Sequence, residues 1–318
     1  MPAVKTEWES RLGRRLRVRD LYVLSTVVRC GSMAKAAHQL AMTQPAVSGA
    51  IANLEHVLRV RLLDRNPRGI SPTLYADALL RRASTVFDEL KQGVRDIEFL
   101  ANPTTGLVKV GCAESFMAGL LPAIVEKLSR DYPKIIVHAD YAEHVTTEFR
   151  ELRERGVDLI IGRISEPFAP DDLNVDALYE EEYYVVVSVR SPWARRRKVS
   201  LADLAAEPWL HMPPDNIISG LIAQAFRKQH LDVPQERVAS LSMHLRCHLV
   251  ANAGFVTIMP GSMFRFNADR WGLKALPIDL GIRSRNVSII TLKHRTLSPV
   301  VELFIEHARV VSKIMHQS

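Results

Sequence analysis

Between Arg19 and Arg29, the apolar residues Leu21, Leu24 and Val28 recur on one helical face, which predicts an amphipathic helix. Gly31, after Cys30, supplies its C-terminal stop. Ser32 is suited to cap a second helix, Met33 to Leu40, in which Ala34, Ala36 and Ala37 let another helix approach closely. After the turn at Ala41-Met42, Thr43 can cap a third helix, with Pro45 in its first turn, where a missing N–H costs little. Ala46, Val47, Ala50, Ile51, Leu54 and Leu58 give that helix an apolar stripe. Two short helices, a tight turn and a third helix opened by small polar groups predict a helix-turn-helix.

Residues Arg61 to Pro72, RLLDRNPRGISP, place Leu62, Leu63 and Ile70 around a polar tip from Asp64 to Gly69. This predicts a two-stranded ribbon, or wing, carrying Arg65 and Arg68. The stretch Thr73 to Leu100 has no internal proline. Its Leu79, Ala83, Val86, Leu90, Gly93, Ile97 and Leu100 alternate in steps of four and three, a heptad seam. The seam is read as a dimerisation helix; packing on its own domain is the alternative. Ala101 to Gly106 has hinge composition.

From Leu107 the pattern alternates strands and helices. Leu107–Gly111, Ile135–Tyr141, Asp158–Gly162, Tyr183–Val189, Phe255–Pro260 and Val287–Leu292 read as strands. Leu120–Tyr132, Thr146–Arg155, Ser200–Ala205, Asn216–His230, Leu241–Ala251 and Ser298–Met315 read as helices. The alternation predicts an α/β domain with mainly parallel sheets and ligands at the carboxyl ends of strands.

The chain has 318 residues with a formal charge of +7; 47% are apolar and 24% charged. That composition excludes wholesale disorder. No apolar run reaches the roughly 18 residues of a membrane span. Residues 1–19 lack an apolar core and are not read as a secretory signal. Cys30, Cys112 and Cys247 form no disulfide framework, which suits a reducing, cytoplasmic setting. Residues 1–70 hold 12 Lys/Arg against 5 Asp/Glu, and the remainder is balanced at 30 of each. The whole excess therefore lies on the first segment. A basic head on a neutral body suggests a polyanion partner, with a basic solubility face as the alternative.

The stretch LYVLSTVVRCGSMAKAAHQLAMTQPAVSGAIANLEHVLRVRLLDRNPRGISPT, residues 21–73, resembles the LysR-type bacterial transcriptional regulators. GSMAKAAHQL, TQPAVSGAIANLE and VRLLDRNPRG carry the resemblance in fixed order. The later chain agrees in architecture, with looser matching over 107–318. Three features depart from the family pattern: Gly49 where a basic residue is common, Asp77 where a glycine is typical, and a longer arm before the first helix. The resemblance implies an α+β multidomain fold. A basic arm (1–18) precedes a winged helix-turn-helix (19–73) and a linker or dimerisation helix (74–101). A periplasmic-binding-protein-like effector domain (107–318) follows. Its two subdomains are expected at 107–185 plus 286–318, and at 186–285. It also implies a non-enzymatic regulator that binds double-stranded promoter DNA and a small effector, without membrane partner or cofactor. A homo-oligomer, a dimer through the linker helix and typically a tetramer, is implied too.

A recognition helix needs short polar groups at its N-terminal turn. Gln44 can bond adenine in a bidentate way, and Pro45 can touch a thymine methyl. Ser48 and Asn53 are candidates for base or phosphate contact. Ser32 and Thr43 join this set, with Thr43 as a cap alone the alternative. Arg65 and Arg68 would reach phosphates or a minor groove, or form a solvated turn. Arg11, Arg14, Arg15 and Arg17 could add backbone contacts, or lie in a disordered arm.

In the body, Ala113, Glu114 and Ser115 follow a strand and open a helix, where backbone N–H groups favour an anion. Arg163 ends another strand at the same edge. Ser115 and Arg163 are expected to grip an anionic or polyhydroxy effector, with Val145, Thr146 and Thr147 as the neighbouring loop; the alternative pairs Arg163 with a surface carboxylate. His211, Pro213 and Ser219 are expected to face the cleft from the other subdomain. Asn216 joins them, or caps a helix. A sugar, a sugar acid or another small carboxylate would suit such a site.

His244, Cys247 and His248 could present metal ligands from one helix, but a structural helix face is the preferred reading. Cys112 is read as a buried inert thiol rather than a redox sensor. No G-x-S-x-G, H-E-x-x-H, P-loop or G-x-G-x-x-G occurs, which argues against the common enzyme classes. Two other readings stay open: a small-molecule sensor whose basic head serves only oligomerisation, and an enzyme on the α/β body.

Overall fold

The computed structural model describes residues 15–66, 69–142, 149–164, 170–214 and 217–316. They form two bodies that meet within one helix, residues 1–91 and 92–318.

In the first body, Leu21, Val23, Leu24 and Val27 recur on one side of α1 (Val18–Cys30) and are buried. Gly31 ends α1 in the left-handed conformation, its N–H bonded to the Val28 carbonyl. α2 (Met33–Gln39) starts at Ser32, whose side chain accepts the Lys35 N–H. Thr43 does the same for Ala46 at the start of α3 (Gln44–Leu58). Val47, Ile51, Leu54 and Val57 form the buried side of α3, whereas Ala46, which the pattern places on the apolar stripe, is exposed. The N-terminal placement of Ala46 turns it away from the core.

The expected wing is an antiparallel ribbon, β1 (Leu63–Asn66) with β2 (Gly69–Pro72). It is anchored at both ends. The Ile70 N–H bonds the Gly31 carbonyl at 3.1 Å. At Gly69 a Cβ would lie 2.9 Å from that same oxygen, and φ is +127°, so only glycine fits. At the other end, the Glu55 carboxylate accepts the Leu62 N–H at 2.7 Å. Thr73 caps α4 (Leu74–Ala101) and donates to the Arg61 carbonyl.

Among its described residues, the second body holds two five-stranded sheets. The first, in order β4-β3-β5-β12-β6, comprises β3 (Thr105–Cys112), β4 (Lys134–Tyr141), β5 (Leu159–Arg163), β6 (Leu173–Glu181) and β12 (Arg285–Leu292). It packs against α6 (Leu120–Asp131) and α11 (Pro299–Ser312) around Phe116, Ile124, Ile161 and Phe304. Short α5 (Glu114–Met117) and α7 (Arg150–Arg153) flank it. The second sheet, in order β11-β7-β10-β8-β9, comprises β7 (Tyr183–Ser188), β8 (Trp209–His211), β9 (Glu236–Ala239), β10 (Val256–Pro260) and β11 (Leu273–Ala275). α8 (Ile217–Lys228) packs on it around Trp209 and Phe226, and α9 (Met243–Ala253) and α10 (Gly261–Trp271) complete the lobe.

Several expectations need correction. The sheets are mixed, because β12 runs antiparallel to β5 and β6, and β7 to β10 and β11. The chain crosses between sheets at Glu182, so all of β7 belongs to the second lobe, which begins before the expected boundary after residue 185. The Ser200–Ala205 helix is a single 3-10 turn, Ala202–Leu204. Of Thr146–Arg155, only Arg150–Arg153 is helical among the described residues. β6 and α10 are absent from the sequence pattern, because charged and polar residues interrupt their apolar period.

One buried ion pair anchors the first lobe. The Asp158 carboxylate accepts from Arg295 Nη2 at 2.8 Å and from the Lys109 N–H at 2.9 Å, and Arg95 of α4 lies at 3.6 Å. Asp158 and Arg295 are each about 1% exposed. Asp158→Ala is expected to cost about 3–5 kcal/mol, because it leaves the Arg295 charge buried. Adding Arg295→Met should recover part of that loss, as read by guanidinium unfolding of both variants.

Candidate nucleic-acid interface and effector cleft

The first turns of α2 and α3 and the base of the ribbon enclose a groove of about 390 Å³, bringing together Ser32, Gln44, Ser48, Gly69 and Ile70. Gln44 and Pro45 are exposed and Ser48 is half-buried. Both helices point their N-terminal N–H groups into this region, where the helix dipole favours anions. Ser32 and Thr43 each cap a helix, so their hydroxyls sit at the two N-termini. Asn53 behaves differently. Its amide donates to Asp20 Oδ2 at 2.8 Å, tying α3 to α1. The expected base or phosphate contact is corrected: Asn53 braces the recognition helix. Arg65 lies on β1 opposite Ile70. Arg68 falls outside the described residues, as do Arg11 and Arg14 of the basic arm. Glu55 and Asp20 organise the head but carry no local sequence signal, since their partners are distant in the chain.

In the second body, the carboxyl ends of parallel strands from the two sheets face each other. β3 leads into Ala113 and α5, and the Glu114 carboxylate accepts the Met243 N–H at 3.4 Å, across to α9. β10 leads into α10, and the Ser262 N–H donates back to Glu181 Oε1 at 2.7 Å. The Ser262 hydroxyl adds a bond to Glu181 at 3.2 Å, and Asn267 donates to the Ala118 carbonyl at 2.6 Å. A cleft between two α/β lobes results.

Arg163 occupies the floor of the first lobe's edge. It is paired with Glu181, which is fully buried, and its Nη1 lies 3.4 Å from the Ser115 hydroxyl. Its guanidinium also stacks over Phe116 at 4.3 Å. Burial alone would lower its pKa, but the Glu181 carboxylate outweighs burial and holds it above its ordinary value. The expectation that Arg163 presents its charge to an effector, or to a surface carboxylate, is therefore corrected: an internal carboxylate takes it. Burial also pushes the Tyr179 and Tyr183 hydroxyls up.

On the second lobe, the Ser219 hydroxyl donates to the carbonyls of Met212 and Pro213, at 3.0 and 2.8 Å. It braces the turn before α8 rather than offering a free group to the cleft. Pro213 is half-buried in that turn. Val145, Thr146, Thr147 and Asn216 lie outside the described residues. His211 ends β8 at the cleft edge.

His244 and His248 stand edge-on to Trp271, with ring centroids 5.1 and 6.5 Å apart, and Cys247 is buried. The helix face is thus built for packing. Among the described residues, no three or more His, Cys, Asp or Glu side chains are grouped to hold a metal ion. Also among them, no helix is long and apolar enough to cross a membrane.

This geometry defines a winged helix-turn-helix head joined by a long helix to a two-lobed α/β body. A family model described as the bacterial regulatory helix-turn-helix protein, lysR family, matches residues 18–77, and one described as the LysR substrate binding domain matches residues 101–312. The chain belongs to the LysR family of DNA-binding transcriptional regulators. It is 25% identical over 291 residues to the HTH-type transcriptional regulator GbpR of Azospirillum brasilense, covering 91% of this chain and 84% of that one. It is 27% identical over 285 residues to the uncharacterized HTH-type transcriptional regulator YybE of Bacillus subtilis, covering 90% and 95%. A full-length OxyR variant from Pseudomonas aeruginosa shares the fold at 20% identity and a TM-score of 0.62, over 93% of this chain and 98% of that one. Full-length CbnR complexed with its target DNA shares it at 20% identity and a TM-score of 0.52, over 93% and 100%.

Burial raises the Cys112 thiol to about 12 and the Cys247 thiol to about 11. Both therefore stay protonated at pH 8, and thiolate is the reactive form. In the native protein, half-buried Cys30 should react with a thiol reagent at pH 8 while Cys112 and Cys247 react only on unfolding. Mass spectrometry of labelled peptides reads this directly; fast native labelling of Cys112 would contradict its inert role.

Proposed function

We propose that the chain recognises an operator in double-stranded DNA through the α2–α3 groove and changes that binding when a small effector occupies the cleft between the lobes. The observation that carries the first half is the convergence of exposed Gln44, half-buried Ser48 and two capped helix N-termini on one groove beside the wing. Gln44 reads a base edge, Pro45 lies against a thymine methyl, and Ser32 and Thr43 sit at N-termini suited to phosphates. Arg65 and Arg68, in the ribbon segment, add positive charge for the backbone or minor groove. Such a protein acts in the compartment that holds the DNA, the cytoplasm.

The long helix supports an oligomer. Val86, Leu90, Gly93, Ile97 and Leu100 are exposed along the predicted seam of α4. A second copy covering the seam forms a dimer, and two dimers form the tetramer that the resemblance implies. Two recognition helices then read half-sites one or more helical turns apart.

Titration against the DNA just upstream of this protein's own gene, with scrambled DNA as control, tests the reading. Affinity should fall steeply as salt rises. Gln44→Ala should weaken the specific site by roughly 5- to 150-fold, from the approximate 1–3 kcal/mol of a bidentate base contact, and leave scrambled DNA unaffected. Absence of binding to either DNA would favour a sensor whose head serves only oligomerisation. Separately, Leu90→Lys with Ile97→Lys should shift the protein toward monomer in light scattering, since both side chains would place charge in the seam.

A further inference from the structure

The second lobe buries a positive charge without an ion-pair partner among the described residues. Arg246, in the first turns of α9, is fully buried. Its Nη2 donates to the Thr257 hydroxyl at 2.7 Å and to the Ile258 carbonyl at 2.6 Å. The Thr257 hydroxyl in turn donates to the Leu210 carbonyl at 2.8 Å. Nε and Nη1 are buried and donate to nothing among the described residues. Burial pulls the guanidinium down to about 10, and no carboxylate acts on it to reverse this. Two other buried guanidinium groups, Arg163 and Arg295, are each matched by a carboxylate.

A second unpartnered group lies nearby. His211 follows Leu210 at the carboxyl end of β8, and its Nε2 is buried without a hydrogen-bond partner. Burial lowers its pKa; Glu236 opposes that shift and the Arg246 charge adds to it, with the Pro234 carbonyl as a further neighbour. β8 and β10 are adjacent and parallel, with Thr257 opposite Leu210. The two groups therefore sit at neighbouring strands on the edge that faces the first lobe. Holding Thr257 and Ile258 needs only one nitrogen of Arg246, so a structural role leaves the other two without a purpose.

We propose that Arg246 and His211 form an anion subsite of the cleft that takes the carboxylate of a small organic acid. The three unused N–H groups of Arg246 and the imidazole nitrogen match the four lone-pair positions of a carboxylate. A dianionic phosphate would leave an oxygen and a charge unmatched. A bound carboxylate also favours the protonated imidazole, which turns Nε2 into a donor. The proposal rests on the reading of the cleft as the effector site, and it names the chemical class of the effector.

The test uses the full-length protein and thermal unfolding at constant ionic strength. The probes are acetate, benzoate and succinate, each against its matching amide. At least one carboxylate should raise the midpoint saturably, and no amide should. In Arg246→Met the half-saturating concentration should rise about tenfold or more, since charge-assisted hydrogen bonds are the strong ones. His211→Gln, at the edge of the same site, should weaken binding in the same direction and decides the matter if Arg246→Met does not fold. No response of the wild-type protein to any of the three carboxylates overturns the site, as does an equal response in wild type and both variants. Arg246-dependent binding that leaves operator affinity unchanged supports the subsite but removes its regulatory role, so the two readings fail separately.

Discussion

A charge taken out of water has to be matched by an opposite charge or by hydrogen bonds, and this constraint governs both ends of β5. Immediately before the strand, Asp158 gathers Arg295, the Lys109 amide and, more loosely, Arg95 of α4. At its far end, Arg163 meets Glu181, which also accepts two bonds from Ser262 in the opposite lobe. Five residues of strand thus separate the attachment of the linker helix from the contact between the lobes. Phe99 of the same helix packs on the first lobe's core. The linker is built into the first lobe, while the second lobe is clipped to it by polar contacts at the cleft. Physical continuity of this kind permits a signal. It becomes coupling only when an element with two arrangements is biased from both sites.

The head is legible in the sequence because its information is local. Caps, turns and helical periodicity act within a few residues, and Ser32, Thr43, Gly31 and the ribbon all emerge from neighbours in sequence. The ties that stiffen it are not legible, since Asn53 meets Asp20 and Glu55 meets Leu62 only once the helices cross. The body shows the same divide on a larger scale. Its alternating elements are visible, but β6 and α10 are not, and both contribute to the lobe contact through Glu181 and Ser262, 81 residues apart. Strand direction also escapes the pattern, because antiparallel β12 reads in sequence like any buried strand. Arg163 stands out by its place at a strand end, and that place is right. What position alone does not reveal is the buried carboxylate that takes up its charge.

Arg163 and Arg246 present opposite solutions to one problem. The first is neutralised within the protein and serves the contact between lobes. The second keeps two nitrogens unmatched on the facing edge. Three residues before Arg246 on α9 lies Met243, whose N–H holds the Glu114 carboxylate of the first lobe. Three residues of helix span about 4.5 Å. A carboxylate bound at Arg246 therefore enters the field of Glu114, well inside the roughly 8 Å screening length at physiological salt. Like charges at such range repel, so filling the subsite weakens the Glu114–Met243 contact while leaving the Glu181–Ser262 contact in place. The lobes then move apart at one contact and stay held at the other, which is a rotation rather than a separation. An effector of this class gains its differential affinity from the charge it supplies to the second lobe, and the cost is carried by the contact whose partner bears the same sign.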